Sequence, residues 1–458
     1  MFAFMKQKPG FYKQVALLAM PIVLQNLITS TLGMADTFMV GMLGEVPMAA
    51  VTLANIPLFA VQMFIFGVQS GSSVLVSQYW GKQEMDSINR VLGVALWVVL
   101  AVSALFAGVL LVRPVEFLSL FGNEPEVIGL AAQYGSIAGL SYVCNAFTMM
   151  YVAAYRSMER PQLGLYILVA SMVVNTFLNW VFIFGKLGAP ALGVRGAAVA
   201  TLTARLLEIT IVILHMMKNR FFRIHLHLLL KPGVDMTRRF LKYGGLVVCN
   251  ETMWGLGTSV FPTIMGHMAG STEILAAYTI AGNMEKITMV VSFGLASTAS
   301  IIIGREIGAG RPDKVLDVGK ALNTLAVAGG IILGGLLLAF VRFAAPAWVY
   351  PLFKLSPGAA SVASMMMVMM ALAMPLKDFN SVNITGVLRG GGDVKAATLI
   401  DIGPLWGVAI PYATLCGLAL KTTVFWVYLA FPLEQAVKFF AGIRRLRSGR
   451  WVRDLTRA

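Results

Sequence analysis

Residues 49–88, AAVTLANIPLFAVQMFIFGVQSGSSVLVSQYWGKQEMDSI, overlay residues 276–315, AAYTIAGNMEKITMVVSFGLASTASIIIGREIGAGRPDKV, without a gap and at a constant offset of 227 residues. The shared positions are Ala49/Ala276, Ala50/Ala277, Thr52/Thr279, Ala54/Ala281, Phe66/Phe293, Gly67/Gly294, Ser70/Ser297, Ser73/Ser300, Gly81/Gly308 and Asp86/Asp313. Apolar composition alone would not bring Gly, Ser and Asp into register, so the match marks a duplication. Transporters rock two homologous membrane bundles around a site between them, and the repeat therefore points to transport.

Around the repeat, the chain reads as bilayer-spanning helix. Of 458 residues, 58% are hydrophobic and 12% charged, and the mean hydropathy is +0.78. Apolar runs of about 20 residues recur from end to end, the length that crosses a bilayer as a helix. Barrel strands alternate over about ten residues, and these runs are continuous and far longer. Residues 1–13 are short and the apolar run after them exceeds a signal-peptide core, so no cleavable signal is expected. Charges and turn residues bound twelve spans: 15–43, 50–77, 91–112, 127–154, 163–185, 194–217, 241–267, 274–303, 318–341, 358–387, 396–419 and 422–442. The expected fold is an all-α polytopic membrane protein, twelve transmembrane helices in two six-helix bundles related by a parallel internal repeat. The expected divisions are a bundle at 1–217, a basic linker at 218–240, a bundle at 241–442 and a basic tail at 443–458.

A net charge of +15 would indicate nucleic acid in a soluble chain, but its distribution here reads as topology. With the amino terminus inside, the inner loops and tail collect Lys6, Lys8, Lys13, Lys82, Arg156, Arg160, seven basic residues of the central loop including Arg220, and the tail arginines to Arg457. The outer loops hold Arg113, Lys186, Arg195, Arg342, Lys354 and Lys421. That bias places both termini in the cytoplasm and the protein in the cell (inner) membrane.

Removing loop charges leaves Asp36, Arg205, Glu208, Glu251, Glu285, Lys286, Lys377, Asp378, Asp401 and Glu434 inside predicted spans. Each costs roughly 2.5–3.5 kcal/mol at a helix centre, so each is paired, interfacial or functional. Arg205 and Glu208 lie three apart and can neutralise each other. Asp401, six residues past Lys395, and Glu434, four before Lys438, read as interfacial and snorkelling. Asp36, Glu251 and Asp378 have no opposite charge at i±3 or i±4 on their own helices. With Lys242 and Arg389 marking the inner edge, Glu251 and Asp378 both sit roughly 14–16 Å deep and are expected to meet near the midplane. Asp36 falls in the outer half of the other bundle.

A carboxyl group withdrawn from water holds a proton near ambient pH, so it can load on one face and unload on the other. Two close carboxylates serve Na⁺ equally well, and Asn250, Asn283, Glu285, Asn380, Ser381 and Asn383 offer further polar groups on the same half. No resident metal or cofactor is expected beyond H⁺ or Na⁺ as coupling ion, with a transient Na⁺ at Glu251 and Asp378 the one metal the pattern admits. The competing reading is a hydrogen-bonded network that only fixes helix packing.

In this order the residues resemble the multidrug and toxic compound extrusion (MATE) family of twelve-helix antiporters. The likeness is carried by Pro21-Ile-Val-Leu-Gln25-Asn26, Ala35-Asp36-Thr37, Val40-Gly41 and Ala49-Ala50-Val51, by Gly304-Arg-Glu-Ile-Gly308-Ala-Gly310, and by the pair Arg156-Ser-Met-Glu-Arg160-Pro161 and Arg389-Gly-Gly-Gly-Asp393. In the family's NorM branch, acids on the first, seventh and tenth helices are implicated in cation coupling, which the resemblance carries to Asp36, Glu251 and Asp378. In the DinF branch the first-helix acid works with the fifth helix, where Asn175-Thr-Phe-Leu-Asn179-Trp180 stands here. Asn179 cannot exchange a proton, so the resemblance favours the carboxy-terminal pair, with Asp36 assisting.

Gln25, Asn26, Gln62, Asn145, Asn175 and Asn179, with Thr29 and Gln69, would give the amino-terminal bundle a wettable substrate cavity. Six Met residues on the tenth span suit either core packing or a promiscuous surface. Gly329-Gly330 and Gly334-Gly335 read as close helix contact. Gly390-Gly391-Gly392-Asp393 lacks the Lys-Ser/Thr of a phosphate loop, which argues against ATP drive. The three Cys residues imply neither disulfides nor a metal site, and no His-based catalytic set appears, so the protein is not expected to be an enzyme. The expectation is an antiporter exporting organic, cationic amphiphiles, a monomer in the lipid bilayer with no nucleic-acid partner. The alternative is a lipid-linked precursor flippase of the same architecture, which would favour basic cavities where the residues left here are acidic.

Overall fold

The computed structural model of the protein describes residues 10–121, 124–219, 221–353 and 355–456. Lys6, Lys8, Arg220, Lys354 and Arg457 of the charge pattern lie outside them. The described residues contain twelve long helices. In the first half they are α1 (Gly10–Gly41), α2 (Glu45–Lys82), α3 (Met85–Val112), α4 (Pro125–Ser157), α5 (Gln162–Phe184) and α6 (Val194–Lys218). The second half has α7 (Val234–Gly266), α8 (Ser271–Gly308), α9 (Pro312–Val349), α10 (Pro357–Leu388), α11 (Val394–Ala419) and α12 (Val424–Arg447). Eleven are long and apolar enough to cross a membrane. The helix outside that group is α7, whose first turns carry Asp235, Arg238, Arg239 and Lys242.

The helices outrun the predicted spans mainly where basic loops follow: α2 continues to Lys82, α7 starts at Val234, α8 runs to Gly308 and α12 ends at Arg447. Hydropathy marks the edge of the hydrocarbon, whereas intrahelical hydrogen bonds continue through the headgroup layer. Exposed Trp97, Leu105, Phe343, Trp348 and Leu372 are what a lipid-facing surface requires.

Compact packing gathers Leu24–Val248 into one unit, and Cys249–Ala458 with the chain up to Val23 into another. Packing therefore cuts through α1 and α7, at points that chain order does not mark. In the amino-terminal unit, α4 packs on α2, α3 and α6, while α5 packs on α6. In the carboxy-terminal unit, α10 packs on α8, α9 and α12 in the same pattern. The duplication is thus visible as two hub helices, α4 and α10.

Small residues permit this approach. A Cβ on Gly71 would lie 2.7 Å from the Cα of Gly244, and one on Gly67 would lie 3.0 Å from that of Val248. In the carboxy-terminal unit the repeat partner Gly294 likewise meets Val23, so the conserved spacing within the repeat records a helix crossing in each unit. On α9 only half of the glycines pack: a Cβ on Gly330 would sit 2.7 Å from Pro375 Cα, and one on Gly334 would sit 2.5 Å from Ala371 O, while Gly329 and Gly335 face open space. Gly330→Val or Gly334→Val is expected to lower stability by about 1–3 kcal/mol through overpacking. Gly329→Ala and Gly335→Ala should melt at the wild-type temperature in a detergent thermal-shift series.

The Met residues of α10 divide similarly. Met366, Met367, Met370 and Met374 are buried, and the first three sit in a cluster with Phe261, Leu405 and Tyr428. They build the core of the carboxy-terminal unit. Beyond Pro375, α10 widens into a π-helical stretch, Ser381–Leu388, which changes the rotation per residue across that interval.

Candidate functional site

In the carboxy-terminal unit the polar residues form three connected groups on α7 to α12. Asp378, buried on α10, accepts a hydrogen bond of 2.5 Å from Ser292 Oγ on α8. Glu251 on α7 takes a different partner: Arg389 Nη1 lies 2.8 Å from its Oε1, and the arginine side chain is 1% exposed. Buried Lys438 of α12 lies 2.7 Å from both Asp401 and Glu434, and Asn250 donates to Asp401 at 2.9 Å. Asn250 and Glu251 adjoin on α7, so these last two groups meet there.

This arrangement differs from the sequence expectations. Glu251 bonds Arg389, and Asp378 bonds Ser292, in place of a contact between the two carboxylates. Arg389, at the end of α10, is buried, because a carboxylate partner allows a guanidinium to stay out of water. The π-helical stretch between Asp378 and Arg389 also changes the α-helical rise on which the depth of Asp378 rested. Asp401 and Glu434 are held in a buried network by Lys438, four residues after Glu434 on α12, and do not snorkel. Lys377, adjacent to Asp378, pairs with Glu285.

The supporting polar residues are dispersed. Asn380 donates to the carbonyl oxygen of Gln435 at 2.8 Å and to its side chain at 3.0 Å. Asn383 accepts from Asn323 of α9 at 3.1 Å, and Ser381 Oγ is buried without a hydrogen-bond partner among the described residues. Asn283 is exposed. Among the described residues no group of three or more His, Cys, Asp and Glu side chains is placed to hold a metal ion.

In the amino-terminal unit, Asn179 donates to Asp36 Oδ1 at 2.6 Å and to Asn175 at 3.2 Å, and Asn175 donates to Thr201 at 3.4 Å. Asp36 therefore has an amide and no ion pair among the described residues. Leu32 and Met39, at i−4 and i+3 from Asp36, fall on its face of α1. With Thr176, Phe177 and Trp180 of α5 they line an open apolar groove of about 630 Å³. Asn145 donates to Gln62 at 3.1 Å. Gln25 is buried and donates to the carbonyl oxygen of Pro161 at 2.6 Å, and Asn26 is half-buried. Arg205 and Glu208 pair at 2.7 Å, as their spacing predicts.

The two hubs can be compared directly. Asn145 stands eleven residues before Arg156, and Asp378 eleven before Arg389. Each reaches the second helix of its own unit, Asn145 to Gln62 on α2 and Asp378 to Ser292 on α8. Asn145 and Asp378 thus stand at the same sequence distance from a motif arginine, an amide in one unit and a carboxylate in the other, although the interval is α-helical in α4 and partly π-helical in α10. Ser292 and Gln435 were not singled out from sequence, and Arg389 and Lys438 were noted there but not as partners of Glu251 and Asp401. The signal for Arg389 was present, since it shares its motif position with Arg156.

Helical units built on a duplicated pattern, with polar contacts on each hub and eleven helices long and apolar enough to cross a membrane, are the architecture of a polytopic membrane transporter. The MatE family model matches residues 21–181 and 245–415, and the chain belongs to that family. The two matched blocks fall one in each half of the chain. The uncharacterized transporter YisQ of Bacillus subtilis (strain 168) is 26% identical over 442 residues, 95% of this chain and 94% of that one. A probable multidrug resistance protein NorM of Rhizobium meliloti (strain 1021) is 27% identical, over 87% of this chain and 85% of its own. The fold matches the outward-facing conformation of a multidrug resistance MATE family transporter of the MOP superfamily with a TM-score of 0.84 at 17% identity, covering 98% of both chains.

Proposed function

We propose that the protein is a secondary active antiporter of the cell membrane, with both termini cytoplasmic, which exports organic cations in exchange for H⁺ or Na⁺. The carrying observation is the buried carboxylate of Asp378 on the carboxy-terminal hub, hydrogen-bonded to Ser292 and without an ion pair among the described residues. Such a group can take up and release H⁺ or Na⁺, so coupling falls to the carboxy-terminal unit. Glu251 is the second coupling group: its counter-charge is Arg389 at rest, and a cation that binds Glu251 competes with that guanidinium. A cation accepted in one conformation and refused in the other has the differential effect that any ligand-driven shift requires.

Substrate contact falls to the amino-terminal unit. Asp36 offers one negative charge beside an apolar groove, the complement of a cationic amphiphile. Multidrug efflux accords with relatives called multidrug resistance proteins. The flippase reading gains no support from the buried bases, because Arg389 and Lys438 are each matched by a carboxylate. The test is efflux of a fluorescent organic cation from everted vesicles under pH and Na⁺ gradients imposed separately. Transport under neither gradient would end the reading.

A division of labour predicts a different phenotype for each acid. Asp36→Asn is expected to raise the half-saturating concentration of a cationic substrate by about tenfold, the equivalent of one lost charge contact. A neutral substrate should be transported as before, and the cation dependence should not change. Loss of all gradient response in Asp36→Asn would move coupling to the amino-terminal unit.

A further inference from the structure

The three consecutive glycines after Arg389 are each explained by a separate contact. A Cβ on Gly390 would lie 2.6 Å from Ser300 Cα, so α8 backbone fixes the first. Gly391 lies against the indole of Trp451, and Gly392 has φ +89 and abuts Arg453. Two of these contacts come from the chain beyond α12. The loop is a seat for the carboxy-terminal tail.

The tail is held by every kind of contact the loop can offer. Trp451 is fully buried and donates from Nε1 to Leu446 O at 2.9 Å. Its ring joins Val318, Val387 and Leu388 in one apolar cluster and reaches Gly319 of α9, where a Cβ would stand 3.4 Å from it. Val452 bridges to Gly392 in antiparallel fashion, and Arg453 N donates to Gly391 O at 2.7 Å. Asp393, 1% exposed, receives Arg445 at 2.5 Å and Arg453 at 3.4 Å. A tail serving only to attract anionic lipid would not need its one Trp at zero exposure.

The amino-terminal unit has a counterpart. After α6, Phe222 is 1% exposed and packs on Tyr155 near the end of α4, with ring centroids 6.2 Å apart. Leu229 packs on Gly93 of α3, where a Cβ would sit 2.6 Å from its carbonyl oxygen. Each half therefore returns the chain after its sixth helix onto its hub and its third helix. In the carboxy-terminal unit, the hub end so covered holds Arg389.

We propose that the tail is a positioning clamp: Trp451, with the ion pairs of Asp393, fixes the loop following α10 and so keeps the Arg389 guanidinium on Glu251. Trp451 touches neither substrate nor cation and acts through Arg389. The link to transport rests on the coupling role given above to Glu251, whereas the clamp itself can be read independently.

The test uses the full-length protein in everted vesicles and detergent, comparing Trp451→Ala, Trp451→Phe, Asp393→Asn and a stop codon at Ser448. Hydrogen–deuterium exchange of residues 384–393 reads the clamp. Exchange there should accelerate about tenfold or more in Trp451→Ala and in the truncated chain, and stay near wild type in Trp451→Phe. Transport should lose about tenfold in maximal rate with the substrate's half-saturating concentration unchanged, and need less coupling cation for half-maximal rate, because a loosened guanidinium competes less for Glu251. A general folding defect would lower the amount of active protein without altering the cation requirement. Unchanged exchange at 384–393 in both Trp451→Ala and the truncated chain would overturn the clamp. Absence of gradient-driven efflux in the wild type would instead overturn the antiport reading and leave the exchange result standing.

Discussion

Asp378→Asn is expected to abolish gradient-driven efflux, by about a hundredfold or more, in a protein that remains folded. The substitution changes little in shape, and the new side chain's oxygen can still accept the hydrogen bond from Ser292 Oγ. What disappears is the charge. A residue that binds no cation contributes no differential affinity for two conformations, and without that difference a gradient cannot bias them. Exchange of labelled for unlabelled substrate with no imposed gradient should persist, because that exchange needs the conformations but not the coupling. Wild-type efflux in Asp378→Asn, under both a pH and a Na⁺ gradient, would refute coupling at the carboxy-terminal hub.

The second large effect concerns the Glu251–Arg389 pair. Glu251→Gln leaves a guanidinium that is 1% exposed without its carboxylate, and Arg389→Gln leaves the carboxylate without its guanidinium. Breaking a buried ion pair on one side typically destabilises by about 3–5 kcal/mol, whereas removing both charges is far milder. Either single substitution should therefore lower the melting temperature of the detergent-solubilised protein, and the double variant Glu251→Gln/Arg389→Gln should recover most of it. Gradient-driven efflux should stay lost in the double variant, since its coupling carboxylate has not returned. Recovery of efflux along with stability would reduce the pair to a packing element.

The tail adds a dependence between distant stretches of chain. If Arg389 is positioned from behind by Trp451, the coupling site extends through the last residues of the protein, far in sequence from Glu251. The Gly390-Gly391-Gly392 run then has a purely steric meaning. It leaves room for α8 on one side and an indole on the other.

Sequence by itself determined the helical membrane class, the duplication and the span order, because these follow from one-dimensional signals: hydropathy over a bilayer thickness and residues repeated at a fixed offset. It also singled out Asp36, Glu251 and Asp378, since an acid in hydrocarbon demands a reason wherever it lies. Partner choice was another matter. Arg389 read as a marker of the inner edge and Lys438 only as the neighbour of Glu434, and both are buried bases bonded to acids on other helices. Same-helix spacing can reveal a pair such as Arg205 and Glu208. It cannot reveal which helices touch, nor how a π-helical stretch turns one end of α10 against the other. Packing also cuts the chain within α1 and α7, where no loop or composition change marks a boundary. Those assignments depend on side-chain volume and close approach between segments remote in sequence, so only the tertiary structure decided them.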